Sequence, residues 1–369
     1  MGQGKTESLP TLYAGWVECM LGAGIPAETD ATCHDCAMCA KEGDDPSEQR
    51  FYNPETQCCT FFPAMPNYLV GGVLLDRALR YSPLRSMVKG EGSVPAIVSP
   101  LGVFPSDHYR ALYTNNTGAF GQDADMRCPY HVSATKDHGP MCGVWRHRQS
   151  TCATWFCKYV RGATGHAFWS RLHVLLGRAE ESLRWWCAME LDVGDAAMDF
   201  MTHARVGAPA SDGQTRNKRL DRDLGPREFA LMWGKWAKRK TRFYQEAARL
   251  VQALSWDDVL AICGPDVAVQ TRLVQAAYAR LIDKGLPQRL TVGDFRVVAL
   301  DAVKATLICG VPPSPMEIPR VLLDLMPYFD GRPVPRVLEA IQQDHGITVQ
   351  EGLVRKLMDN GILSAPKPE

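Results

Sequence analysis

Thiols dominate the first half of the chain. Cys33, Cys36 and Cys39 recur every third residue, Cys58 and Cys59 are adjacent, and Cys128, Cys142, Cys152 and Cys157 follow. Ten of the 13 cysteines fall at or before position 157 of 369, so they are concentrated rather than scattered. Two thiolates with two residues between them reach one ion together, because a tight turn lets both sulfurs face inward. Soft sulfur donors select zinc or iron–sulfur clusters over hard cations such as magnesium. The competing reading, that these are small buried hydrophobes, describes many free cysteines, but the spacing favours metal.

The donor set leaves alternatives open. The run Cys33-x2-Cys36-x2-Cys39 has the spacing that opens a bacterial ferredoxin motif, but Gly43 stands where its fourth cysteine would be. The missing ligand must then come from the later cysteines. Adjacent side chains diverge, so Cys58 and Cys59 serve different metals or one of them is spare. His34, His131, His138 and His147 lie among the thiols and can ligate, shuttle protons or stay in the surroundings. Arg146, His147 and Arg148 are the candidate contacts to an anionic cofactor, or else charge balance for a thiolate cluster. Iron–sulfur is slightly favoured over zinc, because no regular zinc-ribbon pairing appears.

The elements that must position these groups change character along the chain. From 31 to 162 the text is rich in Cys, Pro, Gly and His, a loop-rich region that metal ligation must hold together. Within it, Asn67 to Tyr81 reads as an amphipathic helix, and Leu12 to Ile25 ahead of it, an apolar segment broken by Gly15, Gly22 and Gly24, as one helix leading into the region. After Gly165, Phe168, Leu172, Leu175, Leu176, Leu183 and Trp186 mark a long helix. Gly207 to Gly225 reads as a polar connection. Helices resume at Pro226–Leu254, Pro265–Asp283 and about Val292–Cys309, and Pro312 to Pro315 reads as a stiff linker. The tail shows three short helix faces, around Val321–Leu325, Val337–Ile341 and Val354–Met358, with glycine turns between them and Ile362-Leu363 as the start of a strand.

The fold expected is therefore α-rich, with a loop-rich metal-binding domain over 1–162, a helical domain over 163–311 and a small winged-helix-like module over 316–369. The 41 basic and 41 acidic residues balance, which leaves no field to attract nucleic acid or an anionic membrane. Trp233, Trp236 and Phe243 alternate with Lys235, Lys238, Arg239, Lys240 and Arg242; an aromatic core face with a solvated basic face fits better than a strand-binding track. No apolar run reaches the length of a membrane span and no signal-peptide pattern opens the chain, so a cytoplasmic protein with reduced thiols is expected. GxSxG, HExxH and GxGxxG motifs are absent.

Cys33-x2-Cys36, Cys58-Cys59, Arg127-Cys128-Pro129-Tyr130 and the stretch from Cys142 through Arg148, Cys152, Phe156 and Cys157 together resemble the zinc- or iron-chelating cysteine-cluster family. Trp145, Gln149 and Ala153 depart from its usual tyrosine, proline and arginine, and the long gap between Cys39 and Cys58 departs from its compact start. The resemblance implies a metal site and no fixed reaction. Flagellin lysine N-methylases are similar to this group, which implies transfer of a methyl group to a protein or peptide side chain, with S-adenosylmethionine as a second cofactor. The alternative is a non-catalytic module for interaction, redox sensing or metal handling. The C-terminal segment resembles both a winged helix and the peptide-binding chaperone of pyrroloquinoline quinone biosynthesis. That resemblance implies a protein or peptide partner.

Overall fold

The computed structural model describes residues 9–28, 36, 38–40, 52–79, 82–91, 96–133, 141–157, 159–203, 225–283, 285–309 and 314–366. The described chain is 57% helical and 14% strand, so helix dominates as the periodicity implies. Two compact units are present. The first comprises Met1–Ile25, Asp30–Trp155 and His173–Thr271, and the second Pro26–Thr29, Phe156–Leu172 and Arg272–Glu369. No helix among the described residues is long and apolar enough to cross a membrane.

The core of the first unit is built on helix Asn67–Leu75, in which every residue but Leu75 is buried. The amphipathic reading of this segment is thus corrected: the helix has no wet face, and its polar start, Asn67, donates to the carbonyls of Pro100 (2.9 Å) and Arg184 (2.8 Å). Glycine makes the burial possible. A Cβ on Gly71 would sit 1.8 Å from the Tyr244 carbonyl oxygen and 2.7 Å from the Ala248 Cβ, so only hydrogen lets this helix meet Lys240–Gln252 backbone to backbone. Beside it lies an antiparallel sheet with Gly102–Pro105 between Met65–Pro66 and Ala96–Ser99. Tyr244 ties helix to sheet by donating to the Ser99 carbonyl at 2.7 Å. Trp233, Trp236 and Phe243 are all buried, which settles the aromatic–basic alternation as core and solvated face.

The single helix expected over Pro226–Leu254 is divided. Pro226–Trp233 and Lys240–Gln252 are separated by a 3-10 turn, Gly234–Trp236, where Gly234 takes φ +47°. The polar connection expected from Gly207 lies outside the described residues until Gly225.

In the second unit, the helix expected near Val292–Cys309 is instead the hairpin Phe295–Leu300 and Lys304–Cys309. The reason is local. Asp301 turns the chain by accepting from the amides of Val303 (2.7 Å) and Lys304 (2.8 Å). Ala305, Leu307 and Cys309 then alternate into the core with a period of two. Pro312 and Pro313 lie outside the described residues, but Ser314 and Pro315 open an edge strand, Ser314–Pro319, paired with Lys304–Cys309. A second sheet places Arg289–Val292 between Asp330–Pro333 and Leu363–Ser364.

Helices Arg320–Asp324, Val334–His345 and Glu351–Asp359 complete this part of the fold. One core joins Val337, Ile341, Val354 and Leu357 to Leu290, Ala305 and Leu307, which lie ahead of Met316. An ion pair anchors the last helix. Arg161 donates to Asp359 from Nε (2.5 Å) and Nη2 (2.9 Å), and from Nη1 to the Leu281 carbonyl (2.5 Å).

Candidate metal centre

Backbone hydrogen bonds, rather than one continuous element, gather the thiols of the first unit. The turn carrying the vicinal pair closes when the Cys59 amide donates to Thr56 (2.9 Å), and the Cys59 carbonyl then accepts from the Cys128 amide at 2.6 Å. Tyr109 fixes the segment between these two stretches. Its hydroxyl donates to the Thr60 carbonyl (2.7 Å) and accepts from the Phe62 amide (2.7 Å). The chain turns after Cys128, whose carbonyl takes the His131 amide at 3.0 Å, and His131 is paired across a two-residue ladder with Cys142. Cys152 follows on the short helix Ser150–Thr154.

The electrostatics show that these sulfurs feel one another. The Cys58 thiol is pushed up by its hydrogen bond with Cys59 and then by burial. Burial pushes Cys152 up to about 12, helped by the neighbouring Cys142 and Cys58 and opposed by Arg148. Cys128 is raised well above the ordinary thiol range by burial, with Cys152 and Cys142 adding to the shift. Cys58, Cys128 and Cys152 thus each resist ionisation, with Cys59 and Cys142 beside them, and a cation bound among them would reverse that preference.

His131 is the strongest sign of fit to a metal. Both of its ring nitrogens are buried without a hydrogen-bond partner, and burial followed by Arg127 holds its pKa below the ordinary histidine value, favouring the neutral ring. A buried imidazole with two idle nitrogens is costly, and a neutral imidazole beside thiols is an ordinary zinc or iron donor. Among the described residues, no three His, Cys, Asp or Glu side chains converge as a finished cage. Sulfur and imidazole are donor types that zinc and iron take, but here the side chains do not meet at one point.

The remaining candidates fall elsewhere. Cys33, His34 and His138 lie outside the described residues. Cys36 and Cys39 form a tight turn of their own, the Cys39 amide donating to the Cys36 carbonyl at 3.1 Å, and Cys39 bridges to Tyr52. Cys157 is exposed and belongs to the second unit. Arg148 is buried; its guanidinium lies 3.4 Å over the Trp145 ring and donates to the carbonyls of Trp145 (3.2 Å) and Cys152 (3.0 Å), so it braces the loop carrying Cys152. His147 faces Asp76 at 3.3 Å, with Gly72 beneath it, and Arg146 is exposed.

One group near the thiols gave no sequence signal. Glu180, on helix Gly162–Glu190, is buried and receives Tyr13 Oη, the Ser150 amide (2.6 Å) and Ser150 Oγ (2.8 Å). Burial raises its pKa to about 7 against these hydrogen bonds. It supports the first turn of the Cys152 helix, and a lone glutamate within a long helical pattern cannot be told from a surface residue.

Compared with family models, curated proteins and solved structures, the chain matches none.

Proposed function

We propose that the first unit is a metal-binding module. In this reading Cys58, Cys59, Cys128, Cys142 and Cys152, with His131, supply the ligands of an iron–sulfur cluster or a zinc ion. The idle buried nitrogens of His131, beside thiols held protonated by burial and by their neighbours, carry the reading. Bound iron–sulfur would supply electron transfer or an anchoring Lewis acid, and zinc the latter alone. The protein's own part is to hold the sulfurs in a dry site. Arg148 fixes the Cys152 loop and offsets negative charge, and Tyr109 fixes the segment leaving the vicinal pair. Cys33, Cys36 and Cys39 remain candidate ligands of a second site on their spacing, and Cys157, in the second unit, is left out of both.

Anaerobic purification with metal analysis tests the reading. Stoichiometric zinc, or iron with sulfide and a visible charge-transfer band, supports it. Metal-free protein with an unchanged melting temperature after chelation would overturn it.

On this module rests the wider proposal of an enzyme that modifies a protein or peptide side chain, such as a methyltransferase using S-adenosylmethionine. The second unit, whose C-terminal segment is read as a winged-helix-like or peptide-binding module, would take the substrate. Strand Phe295–Leu300 is an outer strand of its sheet and exposes Val297, Val298 and Leu300, the kind of edge that accepts an added peptide strand. Saturable S-adenosylmethionine binding favours the enzyme; metal-dependent folding without any such binding favours an interaction or metal-handling protein.

A further inference from the structure

The second unit contains a cavity of about 560 Å³ that the thiol chemistry does not use. Its size lies within the roughly 300–1,000 Å³ typical of small-molecule sites. Helix spacing builds it. Ala163, Thr164, Ala167 and Arg171 share one face of helix Gly162–Glu190, Ala277 and Arg280 share a face of Pro265–Ile282, and Arg355 and Met358 share one of Glu351–Asp359. The short alanines leave the space that larger residues would fill.

The charges are unbalanced. Three guanidinium groups, Arg171, Arg280 and Arg355, line the cavity against one carboxylate, Asp283, which is already engaged by the Gly285 amide at 2.8 Å. Arg171 and Arg280 are exposed and make no ion pair or hydrogen bond among the described residues. Arg355 donates to the Gly285 carbonyl through Nη2, while its Nε is buried with no partner. Structural arginines at this density normally find carboxylates, as Arg161 does with Asp359 in the same unit. Guanidinium forks match the oxygens of a carboxylate or phosphate two at a time. Apart from the Thr164 hydroxyl, which donates to Asp359 at 3.4 Å, the side chains of the remaining wall, Ala163, Ala167, Ala277, Leu286, Pro287 and Met358, are apolar.

We propose that this cavity binds a small organic oxyanion carrying two negative charges on an apolar body, a phosphate monoester or a dicarboxylate. The site is independent of the metal reading and stands or falls separately from it.

Calorimetric titration of the full chain with phenyl phosphate, phthalate and inorganic phosphate tests it. At least one organic probe is expected to bind saturably and more tightly than inorganic phosphate. Preference for phenyl phosphate assigns a phosphate ester, and preference for phthalate a dicarboxylate. Arg171→Met or Arg280→Met should weaken binding about tenfold or more, the effect of losing one charge-assisted hydrogen bond. Ala167→Phe keeps every charge but fills the space, and should also weaken it. Because these three side chains are exposed, circular dichroism and melting should be unchanged in the variants. No saturable binding of either organic probe, unchanged affinity in the variants, or inorganic phosphate binding as tightly as the organic probes would each overturn the assignment.

Discussion

Replacing Arg161 with alanine is the sharpest test of what holds the second unit together. Asp359 keeps only 5% of its side chain exposed, so its carboxylate depends on protein partners rather than water. Arg161 supplies two charged hydrogen bonds to it, and the other contact, Thr164 Oγ1, lies at 3.4 Å. Breaking a buried pair from one side costs about 3–5 kcal/mol, since the surviving charge is left desolvated and unpaired. The lost bond to the Leu281 carbonyl adds about 1 kcal/mol, while partial water entry offsets some of the total, so a net loss of about 4 kcal/mol is expected. Hydrogen exchange read by mass spectrometry reports this locally, because protected amides in a cooperative unit exchange through its opening. Peptides from Glu351–Asp359 should exchange roughly a thousandfold faster in Arg161→Ala, the factor corresponding to 4 kcal/mol. Adding Asp359→Asn should recover part of the loss by removing the stranded charge. A change below about 1 kcal/mol, or a double variant less protected than the single one, would refute the argument that desolvation of Asp359 dominates.

Other outcomes follow from the first unit. Cys128→Ser and Cys152→Ser should each lose bound metal, whereas Cys19→Ser, Cys187→Ser, Cys263→Ser and Cys309→Ser should retain it; metal analysis of purified variants decides. Gly71→Ala should destabilise by about 3 kcal/mol or more through overpacking, because its methyl would overlap the Tyr244 carbonyl; urea unfolding measures it. Glu180 has a pKa raised to about 7, so the native state keeps a proton that the unfolded chain releases near the ordinary value. The stability this contributes is present at low pH and is lost as pH rises through 7, by about 3 kcal/mol in all. In chelator-treated protein, Glu180→Gln should flatten that fall between about pH 4.5 and pH 7 in urea titrations, and an equally steep fall in the variant would exclude Glu180 as its source.

Elements whose apolar residues face one core were legible in the sequence. Helix Pro265–Ile282 ends one residue short of its expected end, and the long helix after Gly162 follows its leucines. Misreadings arose where packing or a turn overrode the pattern. Asn67–Leu75 looked one-sided because its glycines carry no hydropathy, yet Gly71 and Gly72 are the contact surface. In Lys304–Cys309, Ala305, Leu307 and Cys309 alternate as in a strand, yet a short apolar run fits either period and the sequence alone suggests a helix. At the candidate site, residue type pointed to Cys58, Cys59, Cys128, Cys142 and Cys152, but spacing could not say which thiols share a neighbourhood. Nor could it separate His131, with two idle nitrogens, from His147, which has Asp76. That distinction depends on contacts made across the fold.

The gathering of Cys59, Cys128 and Cys152 from distant parts of the chain has a consequence for how the protein is made. Cys59 and Cys152 are roughly ninety residues apart in the chain, so closing the loop between them costs about 4 kcal/mol of chain entropy before any sulfur can be shared. Under the proposed reading, the ion would act in the finished protein as a long-range tether. On a ribosome, however, the emerging chain would expose Cys33, Cys36 and Cys39, then the vicinal pair, long before Cys152 exists. Metal or oxidant meeting that nascent stretch would be captured by near neighbours, and each such capture would have to be undone. Loading after release, or delivery by a carrier that ignores isolated local thiols, is the order of assembly this topology rewards.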